Sequence, residues 1–143
     1  MNYDVLKLSN QLCFPLYACS RQIIKLYTPV LDPLGLTYTQ YITMLALWEK
    51  SDETVKTLGE RLFLDSGTLT PLLKKLEEQG LIKRERSRTD ERNVLVHLTE
   101  QGLLLKNRAL EVPEKVASCL SLTQKDAIEL HRILHLILSP DIT

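Results

Sequence analysis

The 143-residue chain has no apolar run approaching the ~20 residues that span a bilayer. Its start, Met1-Asn2-Tyr3-Asp4, lacks the form of a secretion signal, so a soluble, cytoplasmic protein is expected. Three cysteines (Cys13, Cys19, Cys119), odd in number and without a CxxC pair, argue against a disulfide scaffold and against a four-cysteine zinc site. There is no excess charge: 18 Lys+Arg face 18 Asp+Glu, which speaks weakly against a nucleic-acid binder unless the charge is unevenly spread. No Ser-His-Asp ordering, phosphate-cradling glycine loop or paired-carboxylate motif stands out, so the chain does not read as an enzyme and no cofactor is expected. Internal repeats are absent. What remains is an ordinary globular composition, 44% hydrophobic and 25% charged, at a length that fits one domain with a core of its own.

Five glycines and six prolines punctuate the chain. The spacing of Leu8, Leu12, Leu16, Ile23, Ile24 and Tyr27 predicts a long helix over 5–31, which Pro15 must either kink or start late. Asp32-Pro33-Leu34-Gly35 ends it. Thr37 with Gln40 forms a capping-box pattern for a helix to about Lys50, and a short helix follows over 55–62. Asp65-Ser66-Gly67-Thr68 opens another helix over 66–79, closed by Gly80, with Pro71 expected in or near its first turn. The period then changes to that of strands over 81–86 and 93–98, joined by a polar tip. Thr99 caps a further helix that breaks near Pro113, and Thr123 with Asp126 opens a last one to about Leu138.

A short helix, a tight connection, a second helix and a hairpin form the winged helix-turn-helix order. The expected fold is therefore mainly α with a small β-hairpin wing. Apolar helical surface at both ends exceeds what one small winged domain can bury, which predicts that the ends pair with a second copy. On the 66–79 helix, Leu69, Leu72, Leu73 and Leu76 share one face, while small hydroxyl residues and lysines occupy the other. That face suits close approach to DNA, though it also suits simple solvation. From Lys83 to Arg92 five basic residues outweigh three acidic ones, with arginines near the tip, where a planar cation can enter a minor groove. Asp90 stands two positions before Arg92 and can fix its pose.

Asp90 to Gly102 matches the D-x-R, five residues, L-T-x-x-G pattern of the MarR family of dimeric transcription regulators, and Leu64 to Glu77 resembles the recognition helix of its organic-hydroperoxide-sensing (OhrR-type) subgroup. The likeness covers nearly the whole chain. It implies one MarR-type domain over 1–143, with 1–35 and 100–143 as dimerisation helices and 36–99 as the DNA-binding region. It also implies a homodimer on a pseudo-palindromic double-stranded DNA operator. Ser66, Thr68, Thr70 and Lys74 would contact the major groove and Arg92, positioned by Asp90, the minor groove, with Arg84 and Arg86 supporting backbone contacts. Asn10 to Arg21 is similar to the subgroup's sensing segment, which makes Cys13 the counterpart of its reactive cysteine and an organic hydroperoxide its oxidant. The resemblance places Tyr27 and Tyr38 as hydrogen-bond partners of the sulfur, with Tyr17 nearby, and makes the partner subunit's Cys119 the resolving thiol, as in two-cysteine members. Tyr27 lies fourteen residues beyond Cys13, about 21 Å along a helix, so such a site would need two antiparallel copies. Cys19 reads as structural. Three other readings stay open: release by a small aromatic ligand, a metal sensor using His131 and His135, and a thiol peroxidase.

Overall fold

Polar side chains set where most helices begin. The structure, a computed structural model, describes residues 1–138; positions 139–143, the end of the expected 1–143 domain, lie outside the described residues. Thr37 accepts from the Gln40 N–H while the Gln40 side chain accepts from the Thr37 N–H, which completes the capping box of α2 (Tyr38–Glu49). Thr54, Asp65 and Thr99 cap α3 (Val55–Leu62), α4 (Ser66–Glu78) and α5 (Glu100–Arg108) in the simpler one-way form. Thr123 and Asp126 form a second reciprocal box at α7 (Gln124–Ile137), and Pro113 stands in the first turn of α6 (Val112–Ala117).

The first helix departs from the expected 5–31 span. Two 3-10 turns, Asp4–Leu6 and Leu8–Asn10, precede α1 (Cys13–Leu31). Pro15, third in α1, therefore marks a late start rather than a kink, because a first-turn N–H has no intrahelical acceptor to lose. Pro71 departs in the other direction. It is the sixth residue of α4, a turn deeper than expected, and removes the N–H that would bond to the Gly67 carbonyl. Gly67 is exposed, so water can satisfy that carbonyl.

A strand absent from the sequence reading joins the hairpin. Strand β1 (Glu53–Thr54) pairs antiparallel with β3 (Val94–Leu98), which pairs with β2 (Ile82–Arg86), giving the order β1-β3-β2 among the described residues. Two residues are too few to show alternation, which is why β1 left no pattern. Leu47, Leu58, Leu69, Leu73, Leu76, Ile82 and Val96 are nearly sealed from solvent and tie helices and sheet into one core. The L-T-x-x-G motif has a structural reason. Thr99 Oγ1 donates to the Gly80 carbonyl at 2.6 Å and accepts from the Gly102 N–H at 3.0 Å. A Cβ on Gly102 would lie 2.1 Å from the Leu81 carbonyl oxygen, so only glycine lets α5 pass this close to the strand. The Trp48 indole N–H donates to the Gly102 carbonyl at 2.8 Å and ties α2 to the same junction.

The two ends of the chain are not covered. Helix α7 has no buried residue, and Ile128, Ile133 and Leu136 are exposed. Leu8, Leu12, Phe14, Leu16 and Ile24 at the other end are exposed too.

Candidate nucleic-acid interface and cysteine sensor

Helices α3 and α4 meet through a tight turn. Phe63 takes a left-handed conformation (φ +53°), and the Leu64 N–H returns to the Gly59 carbonyl at 3.0 Å. A Cβ at Gly59 would approach the Leu64 carbonyl oxygen to 2.8 Å, so glycine permits the sharp angle. Asp65 accepts from the Thr68 N–H at 2.8 Å and starts α4. Leu69, Leu72, Leu73 and Leu76 are buried, which turns Ser66, Thr68, Thr70 and Lys74 to solvent. All four residues expected to face a major groove are thus on the accessible side.

The wing is a regular ladder from Ile82↔Leu98 to Arg86↔Val94, closed at its tip by the Ser87 N–H on the Asn93 carbonyl at 2.8 Å. Asp90 Oδ1 accepts from the Arg92 backbone N–H at 3.1 Å and from its Nε at 3.2 Å. The guanidinium is oriented by this carboxylate while the side chain stays 91% exposed. Arg86 is exposed as well. Arg84 is placed differently. Its backbone N–H, Nε and Nη2 all donate to the Glu77 carboxylate, at 2.9, 3.1 and 2.9 Å, and bind the wing to α4. These bonds, the backbone one first, hold the Glu77 carboxyl below the usual carboxylate range. A groove of about 860 Å³ runs between α3, α4 and the wing, and Lys56, Ser66, Thr70, Arg84 and Arg92 are among its walls. Lys56 escaped the sequence reading, since nothing marks a lone lysine on a short helix.

The residues expected to form a sensor are not gathered in the same way. Cys13 is the first residue of α1, and it is exposed. Tyr17 follows one turn later on the same face, and Arg21, another turn on, donates to the Tyr17 hydroxyl at 3.1 Å and lies 5.6 Å from its ring centre. Tyr27 and Tyr38 pack together with ring centres 4.8 Å apart, at the far end of α1 from Cys13. Tyr41 of α2 joins them at 5.7 Å from Tyr27. Burial pushes all three hydroxyls above the usual tyrosine value, with the neighbouring phenols adding to the effect at Tyr27 and Tyr41, so each remains a proton donor. Cys119 lies exposed between α6 and α7, its Sγ 3.4 Å from the Lys115 carbonyl, and Cys19 is exposed on α1. The rings of His131 and His135 stack at 4.1 Å, and no cluster of three or more His, Cys, Asp or Glu suited to a metal occurs among the described residues. No helix among them is long and apolar enough to cross a membrane.

Residues 25–109 match the family model described as transcriptional regulator SarA/Rot. The chain is 51% identical over 136 residues to the organic hydroperoxide resistance transcriptional regulator of Bacillus subtilis, covering 95% of this chain and 92% of that one. It is 46% identical over 123 residues to the HTH-type transcriptional regulator SarZ of Staphylococcus aureus, covering 86% and 83%. Reduced AbfR bound to DNA superposes with a TM-score of 0.73 at 39% identity, over 94% of this chain and 96% of that one. MarR itself, at 22% identity over 89% and 94%, shares the fold with a TM-score of 0.75. Two fifths to half of all residues are thus shared with named regulators over most of their length, and the chain belongs to the SarA/Rot family of winged-helix transcriptional regulators, with the MarR-like fold.

Proposed function

We propose that this chain is a homodimeric DNA-binding repressor that releases a pseudo-palindromic operator when Cys13 is oxidised by an organic hydroperoxide. The carrying observation is the division of the molecule: a groove and wing whose expected DNA-contacting side chains are displayed by one chain, and a cysteine at the exposed, apolar start of α1, whose open face, like that of α7, is not covered within it. Ser66, Thr68, Thr70 and Lys74 of α4 enter a major groove, and Arg92, held by Asp90, enters the flanking minor groove. Arg86 adds a backbone contact, and Arg84 supports the wing through Glu77. Two recognition helices must fall about one DNA turn apart, so the dimer helices control affinity.

Pairing α1 and α7 with a second copy covers the exposed apolar faces and brings the Tyr27–Tyr38 hydroxyls of one protomer toward the other protomer's Cys13. The Cys13 thiolate attacks the peroxide's terminal oxygen, the O–O bond breaks, and the alkoxide leaves with a proton as the alcohol. The partner subunit's Cys119 then attacks the sulfenic sulfur; an S–S bond forms and water departs. AbfR has been solved both reduced on DNA and with its disulfide formed, and the scheme carries that pair of states to this chain. Non-reducing gels after one equivalent of cumene hydroperoxide should give a covalent dimer that Cys13→Ser and Cys119→Ser each abolish. Persistence of the dimer in either variant rejects the pairing, and sustained reductant-dependent peroxide consumption would point to a peroxidase.

A second reading rests on a hollow of about 590 Å³ lined by Tyr41, Leu45, Trp48 and Leu62, with Arg61 and Lys106 among its walls. It suits a small aromatic acid. Release by such a compound with Cys13→Ser unchanged would favour this reading.

A further inference from the structure

We infer that Glu77 is a specificity-determining residue, one that neutralises and fixes the Arg84 guanidinium at the base of the groove so that DNA is read through Arg92 and α4. The inference rests on the DNA-binding reading above and adds a residue to it. Arg84 lies on β2 and Glu77 near the end of α4, so this pair bridges the two elements that would enter adjacent grooves of DNA. Nε and Nη2 both donate to one carboxylate oxygen, and the backbone N–H of the same residue donates to the other. The pair therefore fixes the position of the strand as well as the direction of the cation. Arg84 remains one of the groove walls and is a quarter exposed.

An unpaired guanidinium there would attract any phosphate, whatever the sequence. Paired with Glu77 it brings no net charge. Arg92 has a partner as well, but Asp90 holds it by the Nε edge and leaves the side chain extended and 91% exposed. The two arginines thus have opposite arrangements: one is held toward solvent and the other is held down. In a chain whose formal net charge is zero, removing a single negative charge at the groove base alters the local balance appreciably.

The substitution Glu77→Gln keeps an amide oxygen for the Arg84 backbone N–H but removes the charge. The probes are the duplex of about 30 bp that wild-type protein enriches from a random pool, and its shuffled counterpart. For Glu77→Gln the affinity for the shuffled duplex should rise about fivefold at ~0.1 M salt, its salt slope should steepen by about one, and preference for the enriched duplex should fall. In Glu77→Gln/Arg84→Gln the shuffled-duplex affinity should return to the wild-type value. Arg84→Gln alone leaves the Glu77 carboxylate unpaired, so it should weaken both duplexes and flatten the shuffled-duplex slope. A merely structural pair would move melting temperature and dimer content without moving the slope. If wild type prefers its enriched duplex but Glu77→Gln keeps the wild-type slope and preference, the role of Glu77 is overturned and the DNA reading stands. A shuffled-duplex slope below the wild-type value in Glu77→Gln/Arg84→Gln would also overturn it, by making Arg84 a direct phosphate contact in the wild type. Failure of wild type to enrich or prefer any duplex would overturn both.

Discussion

The half of the molecule proposed to face DNA and the half proposed to sense oxidant are finished to different degrees. Between Thr54 and Gly102 each element finds its partners within the chain: α4 on a leucine face, the wing on Glu77, the L-T-x-x-G junction on Leu81 and Trp48. Outside that stretch, α7 has no fully buried residue, the first half of α1 is open, and Cys13 lies at the other end of α1 from the phenols of Tyr27 and Tyr38. A surface that must fit DNA gains from rigidity, whereas a surface that must respond gains from being shared between two copies whose fit can change.

The strongest way to break the contrast is to damage the junction on which the finished half depends. Gly102→Ala forces a Cβ to 2.1 Å from a backbone oxygen, and the expected loss is ~3 kcal/mol or more, read as a much lower melting temperature or no cooperative transition. Next comes the unfinished half. Ile133 is exposed on a helix with no buried residue, so in Ile133→Asp the circular dichroism spectrum should stay folded while sedimentation shows a monomer. With only one half-site engaged, operator affinity should then fall by about a hundredfold.

Arg92→Ala sharpens the other side. It should weaken operator binding at least about tenfold with the dimer intact, because an exposed, oriented guanidinium is lost without any buried contact. Smallest is a pH effect. Glu77 has its folded-state pKa lowered by Arg84, so its contribution to stability is present above the unfolded carboxylate value of about 4.3 and disappears as the pH falls through the folded value. The melting-temperature gap between wild type and Glu77→Gln should accordingly be open at neutral pH and close in acid.

The same contrast explains what could be read from the sequence. Capping boxes at Thr37 and Thr123, the leucine face of α4 and the alternation of Val94, Val96 and Leu98 are local patterns, and each is found where its spacing placed it. The Asp90–Arg92 contact was legible for the same reason, since two residues apart on a turn leaves little freedom. What escaped depends on distant partners. Strand β1 exists because β3 lies beside it, and buried Glu53 on it is matched by Arg61 at 2.8 Å. Arg84 looked like one more free cation until Glu77, seven residues earlier, was found beneath it. Tyr41 adjoins Tyr27 across the packing of α1 on α2, a contact that no local pattern marks. Pro15 left two outcomes open because a late helix start and a kink have the same signature in sequence.

The central claim, that oxidation of Cys13 controls grip on DNA, is tested most directly by operator binding of wild type and Cys13→Ser, each with and without stoichiometric cumene hydroperoxide. The account predicts that both bind equally when reduced and that peroxide releases only the wild type, with a thiol reductant restoring it. Equal release of both proteins, or of neither, would contradict it.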